Sequence, residues 1–315
     1  MDRSPGGQLD LVARFLARLR EALDSGAELP DALARAVAGL PGGAGDRVET
    51  AARRLAGDYH EDEWGFDEEF VEMIEPLLAL LYDRWWRVTT SGVENVPAHG
   101  RALLAANHAG ILPWDAAMIS LAIRRAHPAP RHPRFLALNW AFDLPWLSVA
   151  VRKLGGAAAS PQNALRLLGE DRVVAVFPEG VKGAGKPFGE RYQVQRLGRG
   201  GFVEVALRTG SPIVPVAVVG SEEIYPKLGE APALARLLGA PFFPLTPTFP
   251  WLGPAGLVPL PSRWRIEFCE PIETASHGPE AAEDRALVLE LSETARATIQ
   301  AKLYENLAKR GPAFR

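Results

Sequence analysis

Leu103-Leu104-Ala105-Ala106-Asn107-His108-Ala109-Gly110-Ile111-Leu112-Pro113-Trp114-Asp115 is the stretch from which the rest of the chain is read. The apolar run Leu103 to Ala106 reads as a buried strand that ends in a polar pair. Gly110 loosens the backbone, Pro113 suits the first position of a helix, and Asp115 then falls in its first turn. Seven residues of straight helix would hold His108 and Asp115 roughly 10 Å apart, at about 1.5 Å per residue. The pair meets only if the loop folds back.

Outward from this stretch, apolar runs predict strands near residues 101–107, 134–138, 172–177, 213–219 and 264–269. Helical periodicity falls between them, near 114–125, 143–152, 161–169 and 199–209, with a long charged helix over 279–308. This alternation predicts an α/β fold, a mostly parallel or mixed central sheet covered by helices.

Upstream, Val12, Phe15, Leu16, Leu19 and Leu23 share one face of a helix over residues 8–24, and a second short helix ends before Leu40-Pro41-Gly42-Gly43. From Asp58 to Glu69 seven of twelve residues are acidic, as in a solvated connector. These segments predict an N-terminal helical appendage with its connector over 1–66 and a main domain over 67–315. The helix from Phe70 to Arg87 is apolar all round its later turns, which fits a buried helix or one half-buried at a lipid interface.

With 315 residues, 47% hydrophobic and 23% charged, the chain is globular, and a net charge of -3 excludes a broad nucleic-acid surface. Cys269 is the single cysteine, so neither an intramolecular disulfide nor a cysteine metal cage forms. It is expected as a small apolar core residue. No apolar segment follows the first charges, so a cytoplasmic protein is expected. The charge-free run Leu237 to Ser262 carries seven prolines, which break any spanning helix.

A hydroxyl attacking an acyl carbon needs a base poised near neutral pH. Imidazole supplies one, and a carboxylate on its other nitrogen fixes the tautomer. His108 and Asp115 fit those roles; alternatively Asp115 only complements the helix N-terminus and His108 is an ordinary loop residue. Amides between Gly110 and Trp114 are candidates for holding the oxyanion. Phe177-Pro178-Glu179-Gly180 closes a second apolar strand, and strand ends in α/β folds are where sites gather. Glu179 is either an exposed turn residue or a group that orients an acceptor hydroxyl or a neighbouring cation. Lys182, Lys186, Arg191, Arg196 and Arg199 follow, either as a phosphate-binding set or as a solvated basic loop. Phe242, Phe243, Phe249, Trp251, Leu252 and Leu257, set among prolines, form either a membrane-dipping loop or a buried lid.

Asn107-His108 with Asp115, Leu154-Gly155-Gly156 to Arg166, Phe177-Pro178-Glu179-Gly180 and Ile213-Val214-Pro215-Val216 occur in the order that resembles the glycerolipid acyltransferase superfamily. That superfamily includes the lysophosphatidic acid and glycerol-3-phosphate acyltransferases. The resemblance implies an acyltransferase-like α/β fold and transfer of an acyl group from acyl-CoA or acyl carrier protein to a lipid hydroxyl. It implies His108 as general base oriented by Asp115, with Asn107, Gly110, Glu179, Gly180, Lys182 and Lys186 binding substrate. It also implies a membrane surface as partner, a peripheral position on its inner face, no nucleic acid, no metal and no cofactor beyond the acyl donor. Six residues separate His108 from Asp115 where the family has four, as in a divergent branch that includes neutral-lipid acyltransferase-like proteins. Val181-Lys182 stands where Thr-Arg is usual, and Ala159-Ser160-Pro161 where an arginine is expected. The resemblance therefore supplies no phosphate-binding arginine for the acceptor. Two other readings use the same residues: an acyl-thioester hydrolase, or an inactive lipid-binding or membrane-docking protein.

Overall fold

The structure is a computed structural model that describes residues 17, 18, 20–27, 32, 35, 50, 53, 54, 56–109, 112–143, 145–237 and 239–314. The chain forms two compact units, Met1–Asp62 and Glu63–Arg315. In the first, residues 20–24 are helical; most of the expected helix over 8–24 lies outside the described residues, as does Gly110. The helix expected before Leu40 is described only at Ala32 and Arg35.

The expected boundary at 66/67 moves to 62/63. Part of the acidic connector is built into the second unit through its aromatic and acidic side chains. Trp64 Nε1 donates to Glu170 at 3.1 Å, and the Arg134 guanidinium lies 4.2 Å over the Phe66 ring. Asp67, fully buried, caps the first helix through Phe70 N and pairs with Lys153 at 3.0 Å. A buried carboxylate needs such partners, so these residues cannot be a freely solvated linker.

The second unit carries a seven-stranded sheet and a two-stranded one. In chain order the strands are β1 (Thr89–Ser91), β2 (Ala102–Ala106), β3 (Arg134–Ala137), β4 (Gly156–Ala158), β5 (Val173–Val176), β6 (Ile213–Val219), β7 (Gly229–Glu230), β8 (Pro244–Leu245) and β9 (Arg265–Phe268). The large sheet has the order β1-β9-β6-β2-β5-β3-β4, and β7 pairs with β8. Strands β6, β2, β5, β3 and β4 are parallel; β9 joins β6 antiparallel and β1 joins β9 parallel, so the sheet is mixed.

The helices are α1 (Glu68–Leu80), α2 (Trp114–Ala126), α3 (Trp140–Asp143), α4 (Pro145–Lys153), α5 (Pro161–Gly169), α6 (Gly180–Ala184), α7 (Gly201–Thr209), α8 (Pro232–Leu237) and α9 (Arg285–Arg310). The expected helix over 143–152 is α4, Pro145–Lys153, and the short α3, Trp140–Asp143, is not among the expected elements. The expected helix over 279–308 begins as a 3-10 turn, Pro279–Glu283, because Asp284 caps a new start by accepting from Ala286 N and Leu287 N.

Strand β2 is buried along its whole length, and its alternation sends side chains into both layers. Leu104 and Ala106 join Met118 and Ile119 of α2 on one face. Leu103 and Ala105 join Leu167 of α5 and Val203 of α7 on the other. Helix α9 buries Ala295, Ile299 and Leu303 against Ala217 and Val219 of β6. Cys269 follows β9 and is buried, and burial pushes its thiol up to about 12.

Helix α1 runs into a π turn, Leu81–Trp85, which delivers Trp86 into the core. There Trp86 stacks on Trp264 at 4.8 Å and meets Trp114 edge-on at 5.5 Å. The three indoles join the end of α1, the entry to β9 and the start of α2, and so fix where α2 begins relative to the sheet. Leu77 and Leu80 of α1 remain exposed.

Candidate active site

Asn107 continues β2 past its last paired residue. Its side chain is buried and mimics a strand backbone: Nδ2 donates to Val218 O at 2.9 Å and Oδ1 accepts from Val218 N at 2.8 Å. Both polar groups are thereby committed to β6. With the strand end tied down, the chain folds back toward α2 and the six-residue separation closes. His108 Nδ1 lies 2.7 Å from Asp115 Oδ2. The same oxygen accepts from Ala109 N at 3.2 Å, while Oδ1 accepts from Ala116 N at 2.9 Å. Asp115 therefore both serves the first turn of α2 and holds the imidazole. With Nδ1–H donated to the carboxylate, Nε2 carries the lone pair and has no partner among the described residues.

Strand β5, beside β2, ends in Phe177-Pro178-Glu179. Phe177 packs its ring 4.6 Å from the His108 ring. Glu179 is buried rather than an exposed turn residue, and both its oxygens engage protein groups. Oε1 accepts from His108 N at 3.0 Å; Oε2 accepts from Gln195 N at 2.7 Å and lies 3.2 Å from Lys186 Nζ. Gly180 adopts φ +59, a left-handed turn that glycine takes without strain, and its N–H returns to Phe177 O. Lys186 is buried as well, and it donates to Glu222 Oε1 at 2.7 Å and Gln193 O at 3.0 Å. Glu222 follows β6 through Gly220, and its other oxygen accepts from Tyr192 N. Three neighbouring strand ends, those of β6, β2 and β5, thus deliver Glu222, His108 and Glu179 to one place.

A cleft opens beside this cluster, lined in part by Ala109, Lys186, Phe188, Glu222, Tyr225 and Phe242. Tyr225 accepts from Trp114 Nε1 at 3.1 Å and donates to Leu257 O at 2.5 Å, which joins α2 to the proline-rich segment. That segment is neither wholly buried nor wholly open. Phe242 lines the cleft and Phe243 packs on Phe249 at 5.3 Å, whereas Trp251 and Leu252 are 71% and 60% exposed. Lys182, Arg191, Arg196 and Arg199 are exposed; among them Arg191 reaches the cleft mouth, its guanidinium 4.3 Å over Phe188.

A family model described as Acyltransferase matches residues 87–219, the span that holds His108, Asp115 and Glu179. An uncharacterized protein of Mycobacterium tuberculosis is 48% identical over 99% of this chain and 87% of its own length. The 1-acyl-sn-glycerol-3-phosphate acyltransferase of Borreliella burgdorferi is 24% identical over 45% of this chain and 54% of its own. Residues 87–219 form an acyltransferase domain. A crystal structure of the 1-acyl-sn-glycerophosphate acyltransferase of Thermotoga maritima covers 74% of this chain and 81% of that one, at 20% identity and a TM-score of 0.47.

In this acyltransferase, burial by itself would push the His108 imidazole down. The charge and hydrogen bond of Asp115, with Glu179 behind, outweigh burial and the cation of Lys186 and hold it above its ordinary 6.5. Burial likewise holds Glu222 above the usual carboxylate range, offset in part by Lys186 and the Tyr192 amide. Of the amides expected to face an oxyanion, that of Trp114 donates to Leu112 O. Glu222 and Tyr225 were not singled out by sequence, and Phe242 only as part of the proline-rich loop. For Glu222 a signal existed: it stands just past the apolar run Ile213–Val219, at a strand end like those of His108 and Glu179.

Proposed function

We propose that this acyltransferase moves an acyl group from an acyl thioester, carried on coenzyme A or acyl carrier protein, to the hydroxyl of a lipid acceptor. The observation that carries the reading is the His108 Nδ1 to Asp115 Oδ2 contact of 2.7 Å, with Nε2 unpartnered among the described residues and the adjoining Ala109 lining a cleft. His108 Nε2 takes the acceptor's hydroxyl proton as that oxygen attacks the thioester carbon. Asp115 stabilises the imidazolium that forms and keeps Nε2 aimed at the acceptor. The tetrahedral intermediate collapses with breakage of the C–S bond, and the imidazolium returns its proton to the leaving thiolate. The products are an ester and a free thiol.

The reaction is proposed to take place at a membrane surface, with the protein on the cytoplasmic face. Among the described residues no helix is long and apolar enough to cross a membrane, and exposed Trp251, Leu252, Leu77 and Leu80 suit peripheral contact with lipid. Lipid mass spectrometry tests the chemistry, with acyl-CoA and acyl carrier protein supplied separately over a mixed pool of hydroxyl acceptors. Wild type is expected to release thiol only when an acceptor is present and to form its ester, and His108→Ala to do neither. Thiol release without an acylated lipid selects a hydrolase, and full transfer by His108→Ala removes the mechanism.

A further inference from the structure

The Acyltransferase match stops at Val219, three residues short of Glu222, yet Glu222 is tied into the catalytic loop. Glu179 fixes the main chain at His108 through Oε1, and its side chain is fully buried. A buried carboxylate stays ionised only if a cation or several donors compensate it. Here Lys186 Nζ is that cation, 3.2 Å from Oε2. The ammonium is itself kept from turning into the cleft by Glu222 and by Gln193 O, and Glu222 by the Tyr192 amide.

We propose that Lys186, braced by Glu222, is a positioning residue of the acyl-transfer site. It keeps Glu179 in place, so that the hydrogen bond from His108 N to Oε1 holds the imidazole against Asp115. Lys186 and Glu222 line the cleft but serve the catalytic loop rather than a substrate phosphate, since the Lys186 side chain is 4% exposed. The charged groups that face His108 are Asp115, Glu179 and Lys186, and of these only Lys186 draws the imidazole pKa down. Loss of Lys186 does two things at once: it loosens the loop, and, because Asp115 and Glu179 raise the imidazole pKa by more than Lys186 lowers it, the weakened contacts move that pKa down. A side chain that only filled space would do neither.

This inference rests on the acyl-transfer reading for its rate measurement but has a second readout that does not. Lys186→Met alone leaves Glu179 and Glu222 facing each other without a cation and endangers the fold. The informative variant is Lys186→Met with Glu222→Gln, which removes the pair together and keeps an acceptor for the Tyr192 amide. It is expected to fold, with kcat lower by roughly tenfold or more and KM little changed, because a displaced base costs rate. The acid limb of its kcat profile and the His108 imidazole titration followed by NMR are both expected to move to lower pH. Wild-type kcat, an unmoved limb or an unmoved titration overturns the proposal. A double variant that fails to fold also overturns it, because the pair would then be a requirement of the fold. If wild type transfers no acyl group at all, the functional reading fails, and the NMR titration alone decides the positioning role.

Discussion

His108 Nδ1 and Asp115 Oδ2 stand 2.7 Å apart although six residues separate them, because Asn107 is pinned to Val218 and the chain folds back over the start of α2. The contact joins a strand end to a helix start and sets both the tautomer and the basicity of the imidazole.

The first consequence is a pH profile. The folded imidazole titrates above 6.5, and only its neutral form accepts a proton, so kcat/KM is expected to fall on the acid side through a limb above 6.5. The stability linked to His108 runs the other way. A raised folded pKa stabilises fully below the unfolded value and loses that contribution as pH rises through the folded one. Asp115→Asn removes the charge that lifts the pKa, so the limb moves down while the rate falls by roughly 10²–10⁴-fold for lack of an orienting carboxylate. A rate profile of this variant that overlays wild type counts against the pair.

Asn107 is expected to matter to the fold before it matters to chemistry. Asn107→Leu removes the partners of the buried Val218 N–H, now at 2.8 Å, and C=O, now at 2.9 Å. Each orphaned group costs about 1–3 kcal/mol, so a loss of about 2–6 kcal/mol is expected. Urea denaturation measures it, and an unchanged midpoint would show that the reciprocal pair carries no net stability.

The strands that build the site were legible because each is a run of small or branched apolar residues: Ala102–Ala106, Val173–Val176 and Ile213–Val219 are buried throughout. Strands β1 and β4 were not, since Thr89–Ser91 is polar and Gly156–Ala158 is short and small, and neither alternates over enough residues. The His108–Asp115 pair was legible as two residue types around a glycine and a proline, with its closure left open. Glu179 was legible as a strand-end acid, but not as a buried one. Its partners Lys186 and Glu222 lie 36 residues apart, and only the adjacency of β5, β2 and β6 brings them together. Long-range pairing of this kind leaves no periodic trace in the chain.

Trp251 and Leu252 provide a test of membrane contact that leaves the cluster untouched. Both are largely exposed, and the Trp251 indole is held at 3.2 Å by Thr246 O. Full burial of such a side chain contributes about 1.5–3 kcal/mol. Replacing both by serine is then expected to weaken partition onto phosphatidylcholine vesicles by about tenfold or more, at about 1.4 kcal/mol per tenfold. Sedimentation with vesicles reads this, and equal partition of wild type and variant places membrane contact elsewhere.

Gly183 tests whether Glu179 must lie where it does. A Cβ at this position would stand 2.5 Å from Glu179 Cβ and 3.0 Å from its Cδ, distances that packed atoms do not tolerate. Helix α6 is short and can shift, so Gly183→Ala is expected to fold, at a cost of about 1–3 kcal/mol for the overpacking. The displaced carboxylate would no longer meet His108 N at 3.0 Å, and the catalytic loop would relax around it. A misplacement on the order of 1 Å can lower rate by about 10²-fold, and a loss of about that size is expected in kcat. Steady-state kinetics together with thermal unfolding separate the two effects: a variant that loses stability but keeps kcat would mean that His108 is held without Glu179.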